Sequence, residues 1–204
     1  MSTPTYRKLY SIAEDQMGYV TAAQAAKVGV QNMTLVMMAR RGSLERASHG
    51  VYRLVDYPTH PLAQYMQATL WPYDQRGILS HGTALSLYEM SDVNPAKVHI
   101  TLPAGFRIQR RVEPYLAVHM ADLPATDITA FEGMPITTPA RSVRDAAAAH
   151  LGPALLAQAI DDGIRSGRLS PAVAKALRRE MESAQRRSSL PPTAGGRRTR
   201  AARH

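Results

Sequence analysis

Along residues 6–54 the apolar positions recur first at helical spacing and then at strand spacing. Leu9, Ile12, Ala13 and Met17 fall three and four residues apart, with Arg7, Lys8, Glu14 and Asp15 on the other side, which predicts an amphipathic helix from Tyr6 to Met17. Thr21 followed three residues later by Gln24 has the spacing of a capping box at the start of an Ala-rich helix. Gly29 can take the left-handed conformation that stops that helix near Val28, and Val30 can fold back as a small apolar contact. A second helix is expected from about Gln31 to Arg41, with Leu35, Met38 and Ala39 on its packed side and Gly42 at its end. Leu44, Val51, Tyr52 and Leu54 then supply strand character on either side of a break at Ser48-His49-Gly50. Two short helices at a tight turn followed by a hairpin is the winged helix-turn-helix arrangement, whose second helix enters the major groove of DNA.

The breaker-rich stretch Asp56-Tyr57-Pro58-Thr59-His60-Pro61 divides this domain, residues 1–56, from a second of residues 57–184. In the second, a helix is expected over roughly Leu62 to Leu70, with Pro61 in its first turn, and Ser80 is placed to cap another running to about Glu89. Lys97 to Leu102 alternates as a strand stopped by Pro103, and further strands are expected over Tyr115 to His119 and near Met134 to Thr137. From Pro139 the pattern is helical, with a second helix from Pro153 through Ile164 and a third from Ser170 to about Ala184. The fold class is therefore α+β or mixed: a winged helix-turn-helix domain, then a mixed α/β domain. Residues 185–204 hold prolines, glycines, serines and arginines with almost no core formers, so they are expected to form a basic, disordered tail.

Composition narrows the classes. A chain of 204 residues can bury one or two cores. It has no cysteine, which excludes disulfides, thiolate-ligated zinc and thiol catalysis and suits a reducing cytosol. No apolar run approaches membrane-spanning length and the first residues lack the apolar core of a signal peptide, so a soluble, cytoplasmic protein with no membrane partner is expected. The formal charge is +9, but its distribution matters more than its size. Residues 1–56 carry seven basic and four acidic groups, residues 57–174 nine and ten, and residues 175–204 nine and two. Most of the excess lies in the tail, where it would raise non-specific affinity for nucleic acid by counterion release or contact an acidic partner.

Within the predicted second helix, Gln31, Asn32 and Thr34 have side chains able to pair with base edges. Arg40 and Arg41 at its far end, with Arg46, His49 and Arg53 about the hairpin, suit phosphates. Arg107, Arg110 and Arg111 form a second basic group, either a solvated turn or an additional contact to DNA or a partner. The bland counterparts are a solvated helix face and a protein-protein module of the same shape. Met33, Met37 and Met38 read as core or interface bulk.

Candidate chemistry is sparse. There is no GxxxxGK[ST] and no HExxH, and the histidines at 49, 60, 81, 99, 119, 150 and 204 are scattered without zinc-ligand spacing. Ser80-His81 invites a catalytic reading, but no GxSxG elbow is present and capping is the simpler role for Ser80. Adjacent Asp161 and Asp162 diverge on a helix and make a poor metal pair. No catalytic residue, metal or cofactor is assigned, and no enzyme is expected.

The segments GYVTAAQAAKVGV, GSLERASHGVYRL, ILSHGTALSLYEMSDVNPAKVHITLP and GMPITTPARSVRDAA, taken in order, resemble the AbiEi-type antitoxins of type IV toxin-antitoxin systems over roughly residues 6–150. The resemblance implies a winged helix-turn-helix domain that represses its own operon at promoter repeats, followed by an α/β domain that contributes to repression and antitoxin function. It implies as functional partner a nucleotidyltransferase toxin, in many systems without a stable complex. The alternatives are a stand-alone winged-helix regulator, a protein-protein module without a toxin, and a nuclease fusion. The last needs an acidic-x-Lys pattern, which Lys97 lacks.

Overall fold

The structure is a computed structural model that describes residues 4–72, 77–109 and 111–189. Helix α1 (Pro4–Ala13) opens the first domain, and a short 3₁₀ turn, Glu14–Gln16, follows it where a continuous helix to Met17 was expected. The chain reverses there because Met17 and Gly18 both take positive φ, 53° and 89°. Gly18 is required on a second count, since a Cβ at that position would lie 2.8 Å from the ring of Tyr57.

Strand β1 (Tyr19–Thr21), α2 (Ala22–Lys27), α3 (Asn32–Arg40), β2 (Leu44–Ser48) and β3 (Val51–Leu54) complete the domain. The capping box forms as the spacing predicts: the Thr21 hydroxyl accepts from the Gln24 amide, and the Gln24 side-chain oxygen accepts from the Thr21 amide. Gly29 turns the chain with φ 79°, and the Val30 amide donates back to the Ala25 carbonyl at 2.9 Å. The three strands are antiparallel in the order β1-β3-β2, with a bulge between Arg46 and Ser48. Leu9, Val20, Leu35, Tyr52 and Leu54 form one core beneath the helices. The alternate residues Tyr19 and Val51 face the other way and enter the core of the second domain, so this small sheet is covered on both faces.

The second domain holds α4 (Ala63–Thr69), β4 (Ile78–Leu79), α5 (His81–Leu87), β5 (Val98–Leu102), β6 (Leu116–Met120), β7 (Ile128–Phe131), β8 (Met134–Thr137), α6 (Pro139–Ala148), α7 (Pro153–Arg165) and α8 (Pro171–Ser189). Its sheet runs β6-β5-β4-β8-β7 and is mixed: β5 pairs parallel with β6, β4 parallel with β8, and the other two pairs are antiparallel. Leu79, Ile100, Leu102, Met134 and Ile136 carry the core against Leu85, Val143 and Ile160 of the helices. Two strands add to those expected. β4 is only two residues long, and β7 is a strand of small and half-buried residues joined to β8 by Glu132-Gly133, whose φ values of 48° and 76° suit a tight hairpin.

Helix α8 runs to Ser189, past the expected end near Ala184. The first residues of the expected disordered tail are thus helical, because the run from Lys175 to Arg187 is rich in good helix formers and free of proline. Bonds from Arg144 to Glu180, at 2.8 and 3.1 Å, and from Arg178 to Asp161 tie α8 to α6 and α7. Residues 190–204, the rest of that tail, lie outside the described residues.

Candidate nucleic-acid interface

Leu35 is fully buried and fixes the roll of α3 against the first core. At about 100° per residue, Met33, Met37 and Arg40 then point almost directly away from it. Gln31 caps the helix from an extended conformation, one residue earlier than a helical role would need, and its side chain makes no capping bond. Gln31 and Asn32 are exposed, whereas Thr34 is half-buried on the flank. Of the three expected base-contacting residues, two therefore stand at the open end of the helix and the third at its edge.

The centre of the outward face was not legible as such. Met33 is 67% exposed and Met37 38%, so these side chains form the crest of α3, while Met38 packs inward as expected. The only signal for this lay in their angular position opposite Leu35. In chemical terms, carboxamides are able to pair with adenine edges and apolar groups to contact the thymine methyl.

A recess of about 320 Å³ separates α3 from the β2–β3 hairpin, lined by Asn32 and Val36 on one side and Arg46, His49 and Tyr52 on the other. Arg46 and His49 meet at 3.2 Å between Nη2 and Nδ1, both on the exposed hairpin end. The turn is held to the helices by the Ala22 amide, which donates to the Gly50 carbonyl at 2.8 Å. Hairpin tip and α3 are thereby fixed around one recess.

The arginines divide. Arg40 and Arg41 are exposed at the C-terminal end of α3. Arg53 is not offered outward: its guanidinium donates to the Tyr57 carbonyl at 2.8 Å and the Pro58 carbonyl at 3.3 Å, clamping the connection between domains. No residue type signals this, because the acceptors are main-chain groups. Arg107 and Arg111 are exposed in the β5–β6 connection of the second domain, and Arg110 lies outside the described residues.

Residues 7–55 match the family model described as a transcriptional regulator, AbiEi antitoxin. The matched segment spans the helices, the turn and the hairpin set out above. The crystal structure of the RV2827C protein from Mycobacterium tuberculosis is similar, with a TM-score of 0.49 and 17% identity over 87% of this chain and 72% of that one. No curated protein matches the chain. No helix among the described residues is long and apolar enough to cross a membrane.

Proposed function

From the match of residues 7–55 to the AbiEi antitoxin regulators, we propose a cytoplasmic repressor that binds duplex DNA at its own promoter and acts as the antitoxin of a type IV system. The observation that carries the DNA reading is one face: Gln31, Asn32, Met33 and Arg40 outward on α3, with Arg46 and His49 of the wing across a shared recess. In the bound state α3 enters the major groove, Gln31 and Asn32 meet base edges and Met33 meets a thymine methyl. Arg40, Arg41 and Arg46 neutralise phosphates. No catalytic step is assigned to the chain, and the toxin it counteracts is a nucleotidyltransferase.

A mobility-shift titration with the DNA upstream of its own reading frame tests the first half, and rescue of growth on co-expression with a neighbouring nucleotidyltransferase tests the second. Binding confined to that DNA, with rescue, supports the reading. No shift at any sequence removes it. The exposed Met33 and Met37 favour one other reading, a protein-docking helix, since flexible thioethers suit adaptable interfaces. Under that reading the toxin forms a stable complex and Met33→Ala weakens it with DNA binding absent.

A further inference from the structure

The histidines that are scattered along the sequence converge in three dimensions. His99 on β5 and His119 on β6 lie on adjacent parallel strands whose register pairs Thr101 with His119, which puts both side chains on one face of the sheet. His81, the first residue of α5, reaches the same place from the helix side: its ring stacks on His119 at 3.5 Å between centroids and lies 5.7 Å from His99. His99 Nδ1 and His119 Nε2 are 2.9 Å apart. Each imidazole can present one nitrogen so that all three lie within 4.8 Å of one another.

We propose that His81, His99 and His119 form a binding site for one divalent transition-metal ion of the zinc type. Tetrahedral zinc at its usual bond length to imidazole holds ligand nitrogens about 3.3 Å apart, so ring rotations from this arrangement close the site. Imidazole ligands select zinc and its neighbours over magnesium and calcium, which take oxygen.

Four further features fit a metal. The ligands are kept neutral: burial, with the neighbouring imidazoles, pulls His81 down to about 3, and burial lowers His99 and His119 as well. The ring of His81 is oriented from behind, since its Nδ1 lies 2.8 Å from the Ser80 hydroxyl, which in turn accepts from Thr101 at 2.8 Å. That hydroxyl, expected to cap α5, makes no capping bond and is instead an outer partner of the imidazole, with Nε2 left to ligate. A carboxylate also stands close, its charge partly offset by Arg141, which bears on His81. Asp145 acts on His119 electrostatically, and while its Oδ1 accepts from Arg141 at 2.7 Å, its Oδ2 is buried without a hydrogen-bond partner among the described residues. Finally, His81 and His99 line a cleft of about 430 Å³ that opens to solvent and gives the ion an entry path.

Binding requires both facing nitrogens of His99 and His119 to offer lone pairs. The proton shared between them at 2.9 Å therefore moves, by exchange with solvent, to the other ring nitrogen of the imidazole that donates it, and each ligand stays neutral.

The test is calorimetric titration of ZnCl₂ into the full, tag-free chain at neutral pH, in two buffers of different ionisation enthalpy. The expected result is one equivalent bound, with no proton released by the neutral imidazoles and no comparable response to MgCl₂. Asp145→Asn should weaken binding through loss of charge, by less than either histidine variant. His99→Ala and His119→Ala should weaken it more, with His60→Ala, outside the cluster, as the unaffected control. Imidazole resonances of the unaltered chain, followed by NMR with zinc and then chelator, decide the matter even where a variant fails to fold: shifts at His81, His99 and His119 support the site. Absence of stoichiometric binding, unaltered affinity in folded His99→Ala, or shifts confined to other histidines overturns it and leaves a hydrogen-bonded packing cluster.

Discussion

Gln67, on α4 of the second domain, donates its side-chain amide to the Ala47 carbonyl in β2 of the wing at 3.3 Å. Its carboxamide oxygen accepts from the Tyr19 hydroxyl of β1 at 3.4 Å, so one side chain bridges both outer strands of the small sheet. The wing is thus braced by the domain behind it. Gln67→Ala should cost about 1 kcal/mol of stability, the usual net worth of such a bond. Amide exchange in residues 44–54 should accelerate more than in α1. Unchanged exchange in the hairpin would show that the brace is idle.

The two classes of arginine should separate in salt titrations. Arg41→Ala should weaken binding to every duplex alike and flatten the slope of log K against log salt by about one unit. Arg53→Ala should leave that slope alone, because its guanidinium is already held by the Tyr57 and Pro58 carbonyls. Its loss should appear in thermal unfolding. Equal salt slopes for the two variants would contradict the assignment.

The local devices of the first domain carry measurable stability. Leu35 is fully buried, and Leu35→Ala should cost about 2–5 kcal/mol in denaturant unfolding. Thr21→Ala breaks the capping box and should cost about 0.5–2 kcal/mol. A smaller effect at Leu35 than at Thr21 would mean that α3 is not seated on this core.

These features were readable in the sequence because they are local. Thr21 and Gln24 are three residues apart, and Gly29 and Gly42 mark turns by their own backbone freedom, with φ of 79° and 77°. The roll of α3 was half legible: Leu35 set the inner face, but core and interface roles for Met33 and Met37 differ only by their angle from Leu35, and the structure exposes both. The histidine trio was hidden for the opposite reason. It depends on β5 and β6 pairing in one register and on α5 starting beside them, and no spacing of 81, 99 and 119 encodes that. The bonds of Arg53 to the Tyr57 and Pro58 carbonyls were hidden because a carbonyl acceptor leaves no mark in the residue types around it.

Alkaline pH offers an independent check on the second core. Tyr88 is buried, its hydroxyl donates to the Thr137 carbonyl at 2.9 Å, and burial pushes its pKa up to about 12; burial does the same at Tyr115. A group whose pKa is raised on folding stabilises fully below its unfolded value near 10, and that contribution is lost as pH rises towards 12. Ultraviolet titration should therefore show Tyr88 and Tyr115 among the late-ionising tyrosines, with stability falling over that window. Tyr88→Phe should shallow the fall, and an unchanged profile would contradict the burial argument.

The central claim, that the outward end of α3 reads DNA sequence, is tested most directly by fluorescence anisotropy of the full chain and Asn32→Ala on the upstream duplex and on a scrambled duplex of equal length. A good carboxamide-base pair is worth about 1–3 kcal/mol of discrimination. Asn32→Ala should lose that much affinity for the upstream duplex and almost none for the scrambled one. An equal loss on both, or no preference in the unaltered chain, would contradict the account.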